Sequence, residues 1–161
     1  MTQTDAVAIN NLVGPTISDS SGALPAGWEG VCPNPALAPR FGMERTADGH
    51  LGLTAQGNGR RECFGYLRHS VSLQGGKTYR LRVRLRVEGL QDLHHHLVHG
   101  VLGEGFNNLI LSYHREDGAI VGEARFPGPE RDLQAEVRLY YRFSAHGQVW
   151  WEHVSLQECA P

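Results

Sequence analysis

One stretch of the sequence carries arginine at every second position: Arg80, Arg82, Arg84 and Arg86. A guanidinium group is a planar fork that pairs well with carboxylate or sulfate. The positions beside and between the arginines are apolar: Tyr79, Leu81, Val83, Leu85 and Val87. Because successive side chains of a strand point to opposite faces, this period of two predicts a half-buried strand. Its apolar row faces a second layer, and its arginine row faces water or a ligand.

Four histidines form a second group that could do chemistry: His94, His95, His96 and His99. On a strand, His94 and His96 would share a face, and two such imidazoles could chelate zinc or nickel. No third ligand stands at a suitable spacing. A polar loop, or adventitious metal binding, is therefore the preferred interpretation.

Compact catalytic motifs are absent from the sequence. It contains no Gly-x-Ser-x-Gly elbow, no His-Glu-x-x-His helix and no phosphate-binding loop. Scattered carboxylates do not form an acid–base pair without a defined geometry. We therefore expect a protein that is not an enzyme, with a small metal-dependent hydrolase or lyase as the lesser alternative.

Strands must position these side chains, because no stretch shows convincing helical periodicity. From Cys63 to Leu73, and again from Leu133 to Phe143, polar and apolar residues alternate. The alternation predicts that Tyr66, Arg68, Ser70, Glu136, Arg138, Tyr140 and Arg142 point outward, and that Val71, Leu73, Val137, Leu139, Tyr141 and Phe143 point inward. Further strands are predicted at 6–13, 27–31, 41–46, 50–55, 107–114, 119–126 and 148–156. Roughly nine or ten short strands separated by turns predict an all-β sandwich.

Length and composition fit a single domain, assigned to residues 1–161 with a core at about 6–157. The formal net charge of -2 argues against a nucleic-acid partner. No apolar run reaches the roughly 18 residues that a membrane span needs, so no membrane partner is expected.

The cysteines and the first residues bear on the compartment. Cys32, Cys63 and Cys159 are too far apart for a compact zinc motif, and they allow either one disulfide or three buried thiols. Residues 1–10 show no signal peptide. The protein is then cytosolic, or it is part of a longer secreted chain.

Four groups of residues occur in an order that resembles a known family. They are Gly27-Trp28, Asp48-Gly49-His50-Leu51-Gly52-Leu53, Gly75-Gly76-Lys77-Thr78-Tyr79 and Val149-Trp150-Trp151-Glu152-His153-Val154-Ser155-Leu156. This order is similar to that of carbohydrate-binding modules of the family 4, 9 and 22 type, which are galactose-binding-domain-like jelly rolls. The similarity runs from about Asn11 to Gln157. It implies a two-sheet antiparallel β-sandwich that binds a polysaccharide, performs no catalysis and is attached to a catalytic domain in a longer, extracellular protein.

Sugars are held by aromatic rings that stack on them and by planar polar groups that bond their hydroxyls. The predicted carbohydrate-binding residues include four from outward positions: Tyr66, Arg84, Tyr140 and Trp151. Alternation places Trp150 inward with Val154 and Leu156. Arg61, Glu62 and Tyr113 match places where related modules often have ligand contacts. If the arginine row shares a face with Tyr140 and Trp151, the expected ligand is an acidic polysaccharide; if not, the row is a solvated wall.

The resemblance also implies a structural calcium ion, held by acidic residues after the first strand and in the last one. Asp19 and Glu152 stand nearest to those positions. Calcium takes about six to eight oxygen ligands, so two side chains alone do not specify the site. The alternative role of Glu152 is to accept hydrogen bonds from backbone amides. The alternative to a glycan-binding module is a structural or protein-interaction sandwich that binds no sugar.

Overall fold

A computed structural model describes residues 24–160, so the predicted strand at 6–13 and Asp19 lie outside the described residues. The strands are β1 (Trp28–Val31), β2 (Arg40–Arg45), β3 (Leu51–Gln56), β4 (Phe64–Leu73), β5 (Thr78–Glu88), β6 (Leu97–Leu102), β7 (Phe106–Leu109), β8 (Ser112–Glu116), β9 (Ala119–Pro127), β10 (Leu133–Arg142) and β11 (Gln148–Cys159). A 3₁₀ turn covers Pro35–Leu37, and one α-helical turn, α1, covers Leu93–His96. No helix within 24–160 is long and apolar enough to cross a membrane.

The strands pair antiparallel into two sheets. Sheet A has the order β1-β4-β10-β6-β7, and sheet B has the order β2-β3-β11-β5-β9-β8. Several neighbouring strands are distant in sequence, as the pairing of β4 with β10 and of β5 with β11 shows. The predicted two-sheet antiparallel β-sandwich of the jelly-roll type is confirmed.

The core lies between the sheets and is made from the inward rows of the alternating strands. On β5, Leu81, Val83 and Leu85 have no exposed surface, while the arginines between them are half-buried on the outward face. On β10, Val137 and Leu139 are equally buried. The alternation predicted for β4, β5 and β10 is therefore confirmed. Cys32, Cys63 and Cys159 are free thiols.

The segment between β5 and β8 departs from the prediction. The strand expected at 107–114 is two strands in different sheets, β7 in sheet A and β8 in sheet B. The crossing leaves Ile110 71% exposed and buries Leu111 in the core. Because the chain changes sheets here, a single alternating pattern could not describe it.

His94, His95 and His96 lie in the helical turn α1, which follows the N-cap Asp92, whereas His99 lies on β6. Residues two apart on a helix do not face each other, so His94 and His96 do not form the chelating pair that a strand would give. Among residues 24–160, no three His, Cys, Asp or Glu side chains are grouped closely enough to hold a metal ion. The zinc or nickel alternative therefore has no support in the described part of the chain.

Strand β11 contains a bulge that reverses the predicted sides of its two tryptophans. Its pairing with β5 shifts register between Trp151 and His153, so Glu152 is an extra residue without a partner position. A residue inserted in this way moves every side chain on one side of the bulge to the opposite face of the sheet. Trp151 therefore points inward, only 1% exposed, and Trp150 lies on the outward side of sheet B, opposite Arg86. The predicted outward position of Trp151 is wrong.

Candidate functional site

Five aromatic side chains form one connected group at the outward face of sheet A: Phe64, Tyr66, Phe106, Tyr140 and Phe143. We call this group the aromatic platform. Tyr66 and Tyr140 stand opposite each other on β4 and β10, with ring centroids 4.6 Å apart. The ring of Phe64 lies 5.7 Å from Tyr140 and 6.3 Å from Phe143. Phe106 and Phe143 are 42% and 41% exposed, so the outer members offer ring surface to a ligand.

A glycine on β6 makes room for one end of the platform. Gly100 stands opposite Arg138 of β10 and Asn108 of β7. A Cβ atom at this position would lie 2.3 Å from Cζ of Phe106, so the ring occupies the space that any other side chain would need. From there Phe106 meets Tyr140 edge-on at 5.6 Å.

Phe143 reaches the platform because the backbone turns as β10 ends. Its φ is +59°, a left-handed conformation that is uncommon for a residue with a bulky side chain. The backbone N–H of Phe143 donates to the carbonyl of Cys63 at 2.7 Å, which holds this turn against the start of β4. The Arg142 guanidinium lies 5.0 Å from the ring centroid, and the His95 ring lies 5.6 Å away. Alternation alone predicted Phe143 inward, and the positive φ explains why that prediction is wrong.

A row of paired charges runs beside the rings. Arg138 lies over Tyr66 with Cζ 4.4 Å from the ring centroid. Its Nε donates to Oε1 of Glu136 at 2.7 Å, and its Nη1 donates to Oη of Tyr140 at 2.9 Å. Burial works to lower the pKa of Arg138, but the bonds to Tyr140 and Glu136 outweigh it and raise the pKa. Arg68 extends the row: it pairs with Glu29 and lies 3.8 Å from Glu136.

This arrangement combines the two elements that hold a sugar. Exposed aromatic rings stack on the apolar face of a pyranose, and fixed planar groups bond paired hydroxyls. Arg68 and Arg138 each have a carboxylate partner, so the row presents donors and acceptors together. A ligand with many hydroxyl groups matches such a row better than an isolated anion does.

Of the predicted site residues, the structure brings Tyr66 and Tyr140 together and places Arg84 elsewhere. Arg84 projects from the outward face of sheet B, on the other side of the sandwich, 3.2 Å from Glu116. The rest of the arginine row is paired there as well: Arg80 with Gln157, Arg82 with Glu116 and Glu123, and Arg86 with Glu152. The row therefore does not share a face with Tyr140; its arginines are half-buried, and each has a polar partner on the outward face of sheet B.

Three other predicted contact residues are not members of the aromatic platform. Arg61 and Glu62 occupy the exposed turn before β4. Tyr113 points inward from β8 and covers Gly122, where a Cβ would lie 2.7 Å from its ring. Burial raises the pKa of Tyr113 to about 12, and its ring lies 4.9 Å from His94. Tyr113 therefore packs against the edge of the core.

Trp151 is a core residue and has no surface for a sugar. Its Nε1 donates to Nε2 of His99 at 3.1 Å, and both side chains are 1% exposed. Burial lowers the pKa of His99 to about 3, so the imidazole stays neutral and can accept this bond. The proposed sugar contact at Trp151 is thus contradicted by the bulge in β11.

Glu152 lies within a network of cationic groups and not within a cluster of oxygen ligands. Its Oε1 accepts from Nε of Arg86 at 2.7 Å and lies 3.9 Å from Nε of Arg84. Oε2 lies 3.3 Å from Nδ1 of His50. Two guanidinium groups would repel a divalent cation, so the described surroundings do not fit a calcium site. Asp19 lies outside the described residues, and calcium binding stays a prediction.

The prediction missed several members of the site for separate reasons. Phe106 falls in the segment without a readable pattern. The glycine that makes room for its ring, Gly100, lies in the same segment. Phe64 stands at the entry to β4, and Phe143 follows the end of β10. Arg138 was predicted to point outward, but sequence alone could not pair it with Tyr66.

Comparisons with known proteins agree with this fold. A CBM4 carbohydrate-binding module superposes with a TM-score of 0.57 and 12% identity, covering 92% of this chain and 96% of that chain. The CBM22-1 xylan-binding domain of Paenibacillus barcinonensis gives 0.55 and 10%, covering 88% and 91%. The Clostridium thermocellum endo-1,4-beta-D-xylanase 10B structure, which holds CBM22-1 and GH10 modules with xylohexaose, gives 0.61 and 11%, covering 93% and 28%.

Other comparisons set the limits of this likeness. No family model and no curated protein matches the sequence. The chain spans 19% of a bacteriophage CBA120 tailspike structure and 28% of the xylanase structure, so it corresponds to one part of each. Identities of 8% to 12% show a shared fold. The protein has the β-sandwich fold of carbohydrate-binding modules.

Proposed function

We propose that the protein is a non-catalytic carbohydrate-binding module that binds a polysaccharide across the outward face of sheet A. The observation that carries the proposal is the pairing of the aromatic platform with the charged row through Arg138. One guanidinium contacts the ring of Tyr66, the hydroxyl of Tyr140 and the carboxylate of Glu136. Rings and hydrogen-bonding groups are thereby held in one fixed geometry, which reduces the entropy cost of binding.

The charge pattern favours an uncharged polysaccharide over an acidic one. The arginine row that would have favoured an acidic ligand lies on the other sheet and is paired. On the platform face, Arg68 and Arg138 are already bonded to Glu29 and Glu136. An acidic chain would have to displace these carboxylates, whereas hydroxyl groups can bond to both partners.

In a longer, extracellular chain, such a module would hold an attached enzyme on its polysaccharide. The Clostridium thermocellum structure that shares this fold combines a CBM22-1 module with a GH10 module in one protein. The same arrangement is our proposal for this chain.

A glycan array that includes neutral, uronic and sulfated polysaccharides tests the proposal. We expect binding to a neutral polysaccharide by the wild-type protein and loss of that binding in Tyr140→Ala. The matched control is Arg84→Ala, which removes an arginine from the opposite face and should bind normally. Equal binding by both variants would place the ligand elsewhere on the domain.

A structural or protein-interaction role is the second candidate. Phe106, Phe143 and Ile110 are large apolar residues with 41% to 71% of their surface exposed, and a neighbouring domain could cover them. If no glycan on the array binds, including the uronic and sulfated ones, this second role becomes the better account.

A further inference from the structure

A cleft opens on the outward face of sheet B, on the opposite side of the sandwich from the aromatic platform. It lies between the turn that joins β2 to β3 and the turn that joins β8 to β9, and it has a volume of about 300 Å³. We call it the sheet B cleft. Its polar lining residues are Thr46, Asp48, Arg86, Glu88, Arg115 and Trp150.

Trp150 lines this cleft and carries a buried hydrogen-bond donor that has no partner in the described part of the chain. The side chain is 8% exposed, and within residues 24–160 its Nε1 has no hydrogen-bond partner. The neighbouring Trp151 gives the contrast, because its Nε1 donates to His99 at 3.1 Å. A buried donor without an acceptor destabilises a fold, so a ligand oxygen beside Trp150 would remove that cost.

The groups around Trp150 carry both charges, and Asp48 and Arg86 are held in place by hydrogen bonds. The Thr46 hydroxyl donates to Asp48 at 2.6 Å, and this bond lowers the pKa of Asp48 and keeps it a carboxylate. Arg86 donates to Glu152 at 2.7 Å and to the carbonyl of Gly118 at 3.3 Å. The Arg115 side chain is exposed and makes no hydrogen bond or ion pair with another side chain in the range 24–160.

This lining selects against either type of ion. An anion would meet Asp48 and Glu88, and a cation would meet Arg86 and Arg115. Hydroxyl groups both donate and accept, so a ligand that carries several of them can bond to the carboxylates and to the guanidinium groups. The volume is at the lower end of the range of about 300 to 1,000 Å³ that small-molecule sites occupy, which suits a short saccharide or the end of a chain.

We propose that the sheet B cleft is a second binding site, which takes a short neutral saccharide independently of the platform. The ligand's oxygens accept from the indole N–H of Trp150 and from the arginines, and its hydroxyls donate to Asp48 and Glu88. The site goes beyond the proposed function because it lies on the other face and uses none of the platform residues.

Nuclear magnetic resonance of the three tryptophan indole N–H groups in the 161-residue chain tests the proposal. The Trp150→Phe variant identifies the Trp150 signal by its loss. Xylobiose, cellobiose and galactose serve as probes. At least one probe is expected to shift the Trp150 signal saturably. Arg115→Ala and Asp48→Ala, which alter exposed side chains, should each weaken that binding by about tenfold or more.

The control variant is Tyr140→Ala, which disables the platform and should leave the Trp150 titration unchanged. If Trp150→Phe does not fold, contacts between the indole proton and Arg86 identify the signal instead. No saturable shift with any of the three probes would overturn the proposal, as would a titration that Tyr140→Ala abolishes. Contacts between the Trp150 indole proton and residues 1–23 in the free protein would also overturn it, because the chain itself would then fill the cleft.

Discussion

The guanidinium of Arg138 lies 4.4 Å from the centroid of the Tyr66 ring, on the neighbouring strand. A cation over an aromatic face contributes from about 0.5 to 2 kcal/mol, depending on how far the pair is removed from water. Arg138 is also bonded to Glu136 and Tyr140, so this one side chain connects the stacking surface with its polar border.

Replacing Arg138 by lysine should weaken glycan binding by about tenfold while the fold persists, because an ammonium group cannot keep the planar contact with Tyr66 and the two directed bonds together. Isothermal titration with the best polysaccharide from the array measures the effect. Arg82→Lys, on the opposite face, is the matched control and should bind like the wild type. Wild-type affinity in Arg138→Lys would show that the guanidinium does not organise the site.

Gly100→Ala should weaken the same binding by moving Phe106. The added Cβ would lie 2.3 Å from Cζ of Phe106 and 2.8 Å from the backbone oxygen of Asn107, so both must shift. Overpacking of this kind costs about 1 to 3 kcal/mol of folding free energy, which urea denaturation measures.

The double variant Gly100→Ala with Phe106→Ala separates the causes. If Gly100 acts on the ligand through Phe106, the double variant binds no more weakly than Phe106→Ala alone. If the losses of affinity in the two single variants add up in the double variant, Gly100 does not act on the ligand through Phe106.

Trp151→Ala should lower the free energy of unfolding by about 3 to 5 kcal/mol, because it leaves a cavity in the core. Trp151→Phe keeps most of the volume but removes the donor to His99, at a cost of about 1 to 3 kcal/mol. Denaturant titration measures both values. Stable variants that lose only glycan binding would contradict the inward position of Trp151.

The protein should lose stability on acidification because of His99. Its pKa is lowered from 6.5 to about 3 by burial, and its Nε2 accepts from Trp151 and cannot do so once protonated. Between these values the unfolded chain binds a proton that the folded chain does not. The contribution is therefore complete above pH 6.5 and is lost as the pH falls towards 3, with a slope of at most about 1.4 kcal/mol per pH unit.

His99→Gln isolates this effect, because the amide oxygen can accept from Trp151 but does not titrate. Denaturation between pH 4 and 7 should show a flatter dependence for this variant. His153, whose pKa is lowered by burial and by Arg82 and Arg84, adds a change of the same sign in both proteins and cancels in the comparison. The exposed His114 provides the matched control, and an equally flat curve for His114→Gln would rule out His99 as the cause.

Sequence patterns predicted this fold well because a period of two reports which side of a strand is buried. They assigned Tyr66 and Tyr140 to outward positions on separate strands, and both side chains lie on the outward face of sheet A, where Arg138 covers Tyr66 and leaves it 8% exposed. They could not show that β4 and β10 are neighbours, since pairing between distant strands depends on the whole sandwich. The same reason separated Arg84 from the site: two outward rows look alike in sequence whether or not their strands share a sheet.

Local backbone departures account for the other errors. Phe143 turns outward through a positive φ, and the chain changes sheets at Ile110 and Leu111. Neither event changes the alternation of polar and apolar residues in the sequence. The pattern therefore still predicts a regular strand at positions where the backbone has turned.

The bulge at Glu152 decides which face of sheet B each of the two tryptophans of β11 occupies, because it adds one residue to the strand. Deleting one residue there would restore an even alternation, which would bring Trp150 into the space between the sheets and expose Trp151 to solvent. The His99 partner and the unused indole donor of the sheet B cleft would be lost in the same event. In a relative of this protein, a gap of one residue at position 152 would therefore predict that the two tryptophans occupy exchanged faces of sheet B.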